Sequence, residues 1–281
     1  MSRPELTHAS RPLTFEVESI NERGEALATP IAGEHPLTLY LDKREIVTMM
    51  TLGQAPEALA IGYLRNQRLV QRIEDIAAVQ VDWETDSVAV TTRSRRMDRK
   101  TRERMGRRTV TTGCGQGTVF GDLMEEIDSI RLRDDVALAE DTLYSLLEAV
   151  RRHETTYKAA GAVHGCALAS NAGGRSEILY FVEDVGRHNA VDAIAGQMWL
   201  DAVEGSDKIF YTTGRLTSEM VIKAAQMQIP FLVSRSGLTK MGHDIASRIG
   251  ITMIGSAVNK HYLLFTGRHR FVKAASPTMV A

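Results

Sequence analysis

Cysteine is scarce in this chain of 281 residues, which contains only Cys114 and Cys166. Two thiols cannot form the several disulfides of a small secreted scaffold. The sequence also lacks a CxxC pair, so a structural zinc site cannot be built from cysteines alone, and we predict no metal site. Because the polar start of the chain has no apolar segment typical of a secretory signal, a cytoplasmic location is expected.

Long apolar runs and an excess of charge of one sign are absent as well. No stretch approaches the roughly 20 apolar residues of a membrane-spanning helix. The 34 basic and 35 acidic residues give a net charge of -1, which argues against a generally basic nucleic-acid-binding surface. We therefore expect neither membrane nor nucleic acid as a partner. The hydrophobic content of 43% is that of an ordinary globular protein.

Hydrophobic patterning divides the chain into four predicted parts. In the last part, residues 141–281, strands alternate with helices after about residue 205, which favours a mixed, mainly parallel sheet in an α/β sandwich. In the second part, strands at 37–41, 76–82 and 87–92 accompany a helix that begins at Pro56. The four parts are a flexible tail (1–12), a small N-terminal α+β domain (13–110), an active-site loop and linker (111–140) and the α/β domain (141–281).

Cys114 is the first candidate for chemistry. It lies in the segment TTGCGQG, where flanking glycines let backbone amides approach the sulfur closely. Residues 93–108 before it contain nine arginines and lysines against two acids, and such cations favour the thiolate. The pattern indicates a nucleophile or sulfur carrier, with an idle loop thiol as the alternative. The basic run itself contains no aromatic residue for stacking on bases, so a charged surface is preferred to a nucleic-acid site.

Cys166 lies inside a predicted strand, two residues after His164. Small buried cysteines are common in strands, so a structural role is the favoured interpretation for Cys166. His164 stands near the end of that strand, where it could face a ligand.

The densest polar segment is EDVGRHN, residues 183–189, which stands where a predicted strand gives way to a helix. That position is the usual ligand crevice of open α/β sheets. Arg187 and the first amides of the helix could hold a phosphate, with Asp184 and His188 close by. A capped helix with a local salt bridge is an equally good interpretation of the segment.

Two further loops repeat this arrangement of small, hydroxyl and arginine residues after a strand. They are residues 212–215, with Arg215, and residues 234–237. Three such loops on one sheet edge favour an anionic ligand such as a nucleotide, although no P-loop or GxGxxG motif is present.

Taken together, these segments resemble the formate dehydrogenase accessory sulfurtransferases of the FdhD family. The similarity is colinear from about residue 34 to 267, and EDVGRHNAVD is its most specific piece. The other matching pieces include HPLTLYLDKREIVTMMTLG, TGCGQG, AVHGCALAS, TTGRLTSEMVIKAAQMQIPFLVS and ITMIGSAVNK.

The resemblance implies a function, a fold and partners. Members of the family accept sulfur from a cysteine desulfurase as a cysteine persulfide, here on Cys114. They pass it to the bis(molybdopterin guanine dinucleotide) cofactor before that cofactor enters formate dehydrogenase, so a guanine nucleotide should mimic the bound substrate. The resemblance also implies a main domain similar to cytidine deaminase and a homodimer. Its cofactor-binding stretch corresponds to Ser256, Ala257, Val258, Asn259, Lys260 and His261.

Two departures from the family pattern leave an alternative function open. The usual loop is CxxC, but Gly117 stands at the second cysteine position, and Lys260-His261 replaces the usual Gly-Arg. A cofactor-binding chaperone that moves no sulfur is therefore the main alternative. A zinc deaminase is disfavoured because the chain has neither PCxxC nor HxE.

Overall fold

The computed structural model describes residues 3–94, 127, 129–153 and 155–274. It is a mixed α/β protein, as predicted at the level of fold class. The helices are α1 (Pro56–Asn66), α2 (Glu140–His153), α3 (Thr156–Ala160), α4 (Arg187–Leu200), α5 (Ser218–Gln226) and α6 (Lys240–Ile249). Within the described part of the chain, none of them is both long and apolar enough to cross a membrane.

The strands form two larger and two small sheets. They are β1 (Glu5–Leu6), β2 (Thr14–Ile20), β3 (Ala26–Ala32), β4 (His35–Leu41), β5 (Arg44–Thr51), β6 (Ile76–Asp82), β7 (Ser87–Thr92), β8 (Leu138–Ala139), β9 (His164–Ala169), β10 (Ile178–Asp184), β11 (Ile209–Thr212), β12 (Phe231–Ser234), β13 (Thr252–Val258), β14 (His261–Leu264) and β15 (Phe271–Val272). The strand orders are β1-β6-β7-β4-β5, β10-β9-β11-β12-β13-β14, β15-β8 and β2-β3.

The chain forms two compact units that do not follow the sequential domains expected from the patterning. The first unit comprises residues Met1–Glu126, Glu154–Cys166 and Phe181–Val203, and the second comprises Ile127–His153, Ala167–Tyr180 and Glu204–Ala281. Residues 187–200, which form α4, belong to the first unit because this helix packs directly on α1. Gly62 and Gly196 bring the two backbones so close that a Cβ on either would fall within 2 Å of the opposite main chain.

The first unit is built on the five-stranded sheet. Alternate residues Leu37, Leu39 and Leu41 of β4 are buried, as expected for a strand with one face on the core. The tail is not loose from Arg3 onward, because Glu5–Leu6 pairs in parallel with β6. The antiparallel hairpin β2–β3 was also missed by the sequence analysis, which predicted no strand before residue 37.

The second unit contains the parallel strands β11, β12 and β13, followed by antiparallel β14. Every residue of β11 and β12 is buried, as is typical of parallel strands covered on both faces. Helix α6 ends at Gly250, as predicted, with the glycine in the left-handed conformation at φ 78°.

Candidate functional site

Glu183 and Asp184 begin the polar segment singled out from the sequence, and both are buried in the first unit. The Glu183 carboxylate accepts hydrogen bonds from the backbone N–H groups of Thr155, Thr156 and Tyr157 at 3.3, 2.8 and 2.9 Å, and from the Thr155 hydroxyl at 3.1 Å. It therefore supplies the negative charge and the acceptors that the start of α3 requires.

Asp184 joins the end of β5 to the start of α4. Its Oδ2 accepts from the Thr51 hydroxyl at 2.5 Å and from the Leu52 N–H at 3.2 Å. Its Oδ1 accepts from the Gly186 N–H at 3.0 Å and from Asn189 Nδ2 at 2.8 Å. Burial raises the pKa of Asp184 to about 6, against the opposing effect of these four donors. The helix that begins in this segment, α4, follows Gly186 without a side-chain cap, so the capped-helix interpretation does not hold for α4. The two carboxylates instead accept hydrogen bonds from the start of α3 and from the end of β5.

Arg187 is the first residue of α4 and is only 7% exposed. Its Nε is buried and has no hydrogen-bond partner among the described residues. A buried guanidinium with an unsatisfied N–H at the start of a helix has the chemistry of an anion site. His188 beside it is buried, and His164 is half-buried at the start of β9.

Cys166 is fully buried in β9, as the structural role predicted for it requires. Its Sγ lies 4.0 Å from the carbonyl oxygen of Arg187. Cys114, Gly117 and residues 95–108 of the basic run lie outside the described residues. No group of three or more histidine, cysteine, aspartate or glutamate side chains is placed to hold a metal in the ranges that the structure describes.

In the second unit, the loops after β11, β12 and β13 lie side by side. The Ser234 hydroxyl donates to the Gly214 carbonyl at 2.6 Å and accepts from the Ser236 N–H at 2.9 Å. The Ser236 carbonyl accepts from the Ser256 N–H at 2.9 Å. The juxtaposition predicted for the two arginine-containing loops is thus confirmed, and Arg215 is exposed in the first of them.

The stretch Ser256–His261 connects the end of β13 to the start of β14 with unusual backbone geometry. Ser256 and Asn259 have positive φ values of 51° and 54°, which non-glycine residues rarely adopt. The pairing register of β13 with β14 shifts between Gly255 and Val258. Such bulges and strained residues are frequent next to binding sites. Ala257 is buried, whereas Val258, Asn259, Lys260 and His261 are exposed.

Comparison with known proteins gives a consistent match. A family model described as the FdhD/NarQ family matches residues 32–272. A sulfur carrier protein FdhD from Listeria monocytogenes is 27% identical over 246 residues, covering 87% of this chain and 92% of the relative. The protein of the same name from Sulfurisphaera tokodaii is 29% identical, with coverages of 86% and 91%. A crystal structure of a formate dehydrogenase accessory protein from Desulfotalea psychrophila has a TM-score of 0.72 at 26% identity, covering 93% of this chain and all of that one.

Proposed function

The chain belongs to the FdhD/NarQ family, and on that premise we propose that it is a sulfur carrier for formate dehydrogenase maturation. Cys114 takes sulfur from a cysteine desulfurase. Its thiolate attacks the outer sulfur of the desulfurase persulfide, a new S–S bond forms on Cys114, and the desulfurase cysteine leaves as a thiolate. The acceptor is the bis(molybdopterin guanine dinucleotide) cofactor before it enters formate dehydrogenase, and the working protein is a homodimer.

The observation that carries this proposal is the burial of Cys166. The chain has two cysteines, and a thiol that is 0% exposed inside a strand cannot meet the persulfide of another protein. Attack on a disulfide-type sulfur requires an accessible thiolate. Cys114 is the remaining thiol, and it matches the family's persulfide cysteine.

Each of the two compact units contributes groups that we propose bind the cofactor. In the second unit, the hydroxyls and amides of the joined loops, Arg215 and the stretch 256–261 suit the phosphates and guanine of a nucleotide. In the first unit, the buried Nε of Arg187 supports a role in holding an anion. Guanosine diphosphate is the simplest probe, and Arg215→Ala should weaken its binding.

Sulfur loading is tested by incubating the protein with a cysteine desulfurase and cysteine, followed by intact mass spectrometry. We expect one added sulfur atom on the wild type and on Cys166→Ala, and none on Cys114→Ser. Release of thiocyanate on adding cyanide identifies the adduct as sulfane sulfur. An adduct that persists in Cys114→Ser would refute the carrier mechanism. Guanosine diphosphate binding without any sulfur adduct would instead establish the non-catalytic chaperone.

A further inference from the structure

Strand β14 is the last strand of the larger sheet of the second unit, and no other strand of the described residues pairs with its outer side. The Phe265 N–H donates to the Met253 carbonyl at 2.9 Å, and Leu263 lies opposite Gly255 in the same antiparallel register. Main-chain groups alternate in direction along an antiparallel strand, so those of Tyr262 and Leu264 point away from β13. They have no backbone partner among the described residues.

One face of β14 borders a basic cavity of about 620 Å³. Tyr262 and Leu264 point to this side, where the Tyr262 hydroxyl donates to Glu140 of α2. The lining contains four basic side chains against one carboxylate, Glu140, which is bonded to Tyr144, Tyr262 and the Ala274 N–H and interacts with the charge of Lys273. The four basic residues are Lys260, His261, Arg268 and Lys273.

The opposite face of β14 is apolar and exposed. Leu263 is 47% and Phe265 37% exposed, and Val258 at the preceding turn is 43% exposed. Protected sheet edges usually carry charges or prolines that repel an incoming strand. On this face β14 carries no proline, lysine, arginine, aspartate or glutamate, and His261 at the start of the strand is its one titratable side chain, so an added strand would bury mainly apolar surface here.

From these three observations we propose that β14 is a docking edge for an extended segment of a partner protein in which acidic and apolar residues alternate. Side chains of an added strand point alternately to the two faces of the sheet. Every second residue would therefore meet the cations of the cavity, and the residues between them would cover Leu263 and Phe265. Main-chain hydrogen bonds to Tyr262 and Leu264 would supply affinity, and the alternation would supply specificity. The surface shares Val258, Lys260 and His261 with the stretch proposed to bind the cofactor, but the docking proposal does not depend on sulfur transfer, and its test changes other residues.

The test uses the full chain and a fluorescein-labelled peptide of about eight residues, a usual strand length, with alternating glutamate and valine. Binding is followed by fluorescence anisotropy. Two control peptides separate strand addition from simple charge attraction: one has the same composition in two blocks, and the other alternates lysine and valine. Inorganic pyrophosphate is the competitor that represents a small-anion site.

We expect the alternating acidic peptide to bind at least about tenfold more tightly than either control peptide, with an affinity that falls as salt is added. Arg268→Glu combined with Lys273→Glu should weaken it at least about tenfold through the charged face. Leu264→Pro should do the same by removing an outward N–H. Leu263→Glu gives an independent test on the apolar face if the proline variant melts early. Arg23→Glu, an exposed cation on the β2–β3 turn, is the matched control and should bind the peptide like the wild type.

Three results would overturn the proposal. Equal binding of the block peptide would show charge attraction without strand pairing. Displacement by pyrophosphate at the concentration of the peptide itself would show a small-anion pocket. Absence of binding by the alternating peptide would show that the edge is not a docking site.

Discussion

The contact between α1 and α4 permits a quantitative prediction about the first unit. A Cβ at Gly62 would lie 1.7 Å from the carbonyl oxygen of Asp192, and one at Gly196 would lie 1.9 Å from that of Ala58. Real Cβ atoms essentially never approach closer than 3.0 Å. Because each clash is with main chain, a rotamer change cannot relieve it. Gly196→Ala must therefore push the two helices apart by about an ångström.

The cost can be worked out from what this separation breaks. Overpacking a well-packed core costs about 1–3 kcal/mol. The buried bond from Asn66 Nδ2 to Asp192 Oδ1, at 2.7 Å, crosses the same contact, and a hydrogen bond to a charged group contributes about 1.5–3 kcal/mol. Alanine is about 1 kcal/mol better than glycine inside a helix. The net loss for Gly196→Ala is therefore about 1.5–5 kcal/mol, and the packing effect outweighs helix propensity.

Equilibrium urea unfolding measures this loss. Gly237→Ala is the matched control, because a Cβ there meets no heavy atom within 4 Å, and its free energy of unfolding should change by less than about 0.5 kcal/mol. Gly62→Ala should resemble Gly196→Ala. The double variant should lose less free energy of unfolding than the two single variants lose together, because helices already separated by one methyl group have room for the second. A Gly196→Ala protein as stable as the wild type, or more stable, would refute the argument.

Three further predictions concern charged groups of the first unit. The raised pKa of Asp184 means that the folded state binds its proton more tightly than the unfolded state, so its contribution to stability falls as the pH rises from about 4 to about 6, by on the order of 3 kcal/mol. In urea unfolding across this range, the free energy of unfolding of the wild type should fall relative to that of Asp184→Asn. A constant difference between the two proteins would contradict this. Glu183→Gln should lower the free energy of unfolding by about 1–2 kcal/mol, because the start of α3 loses its negative charge, and an unchanged thermal midpoint would contradict that. Burial, followed by the charge of Arg11, lowers the pKa of His35, so stability should increase as the pH rises toward about 6.5 and level off above it, and NMR titration of the His35 ring should place its midpoint below that of a free histidine.

Local pattern was sufficient to predict most elements between residues 35 and 266. Strands β6 and β7 and the start of α1 at Pro56 are where alternation and the proline place them. The hairpin β2–β3 was missed because its residues are largely exposed on both faces, so no buried stripe marks it. Strand β1 is too short for any periodicity to show.

The roles of the EDVGRHN carboxylates could not be predicted because their partners are distant in sequence. Thr51 precedes Asp184 by 133 residues, and Thr155 precedes Glu183 by 28. Threonines are too common to be singled out without the fold. The strand-end loops of the second unit were predictable, since carboxyl ends of adjacent parallel strands must meet at one edge. The family resemblance read from the motifs is confirmed by the family model and the relatives.

Gly117 gives the last prediction, which concerns the lifetime of the sulfur that we propose Cys114 carries. In a CxxC loop, a second thiolate can attack the Cys114 sulfur and expel hydrosulfide, which leaves a disulfide between the two loop cysteines and no bound sulfur. This chain has glycine at that position, and its other cysteine is fully buried, so that internal discharge is closed. A loaded wild-type protein should therefore keep its sulfur adduct in the absence of added thiol, whereas Gly117→Cys should lose it and gain the mass signature of a disulfide. Gly115→Ala, which changes the same loop without adding a thiol, is the control and should retain the adduct. Intact mass measured over time after removal of the desulfurase distinguishes these outcomes, and equal adduct lifetimes in the wild type and Gly117→Cys would show that the second position does not control discharge.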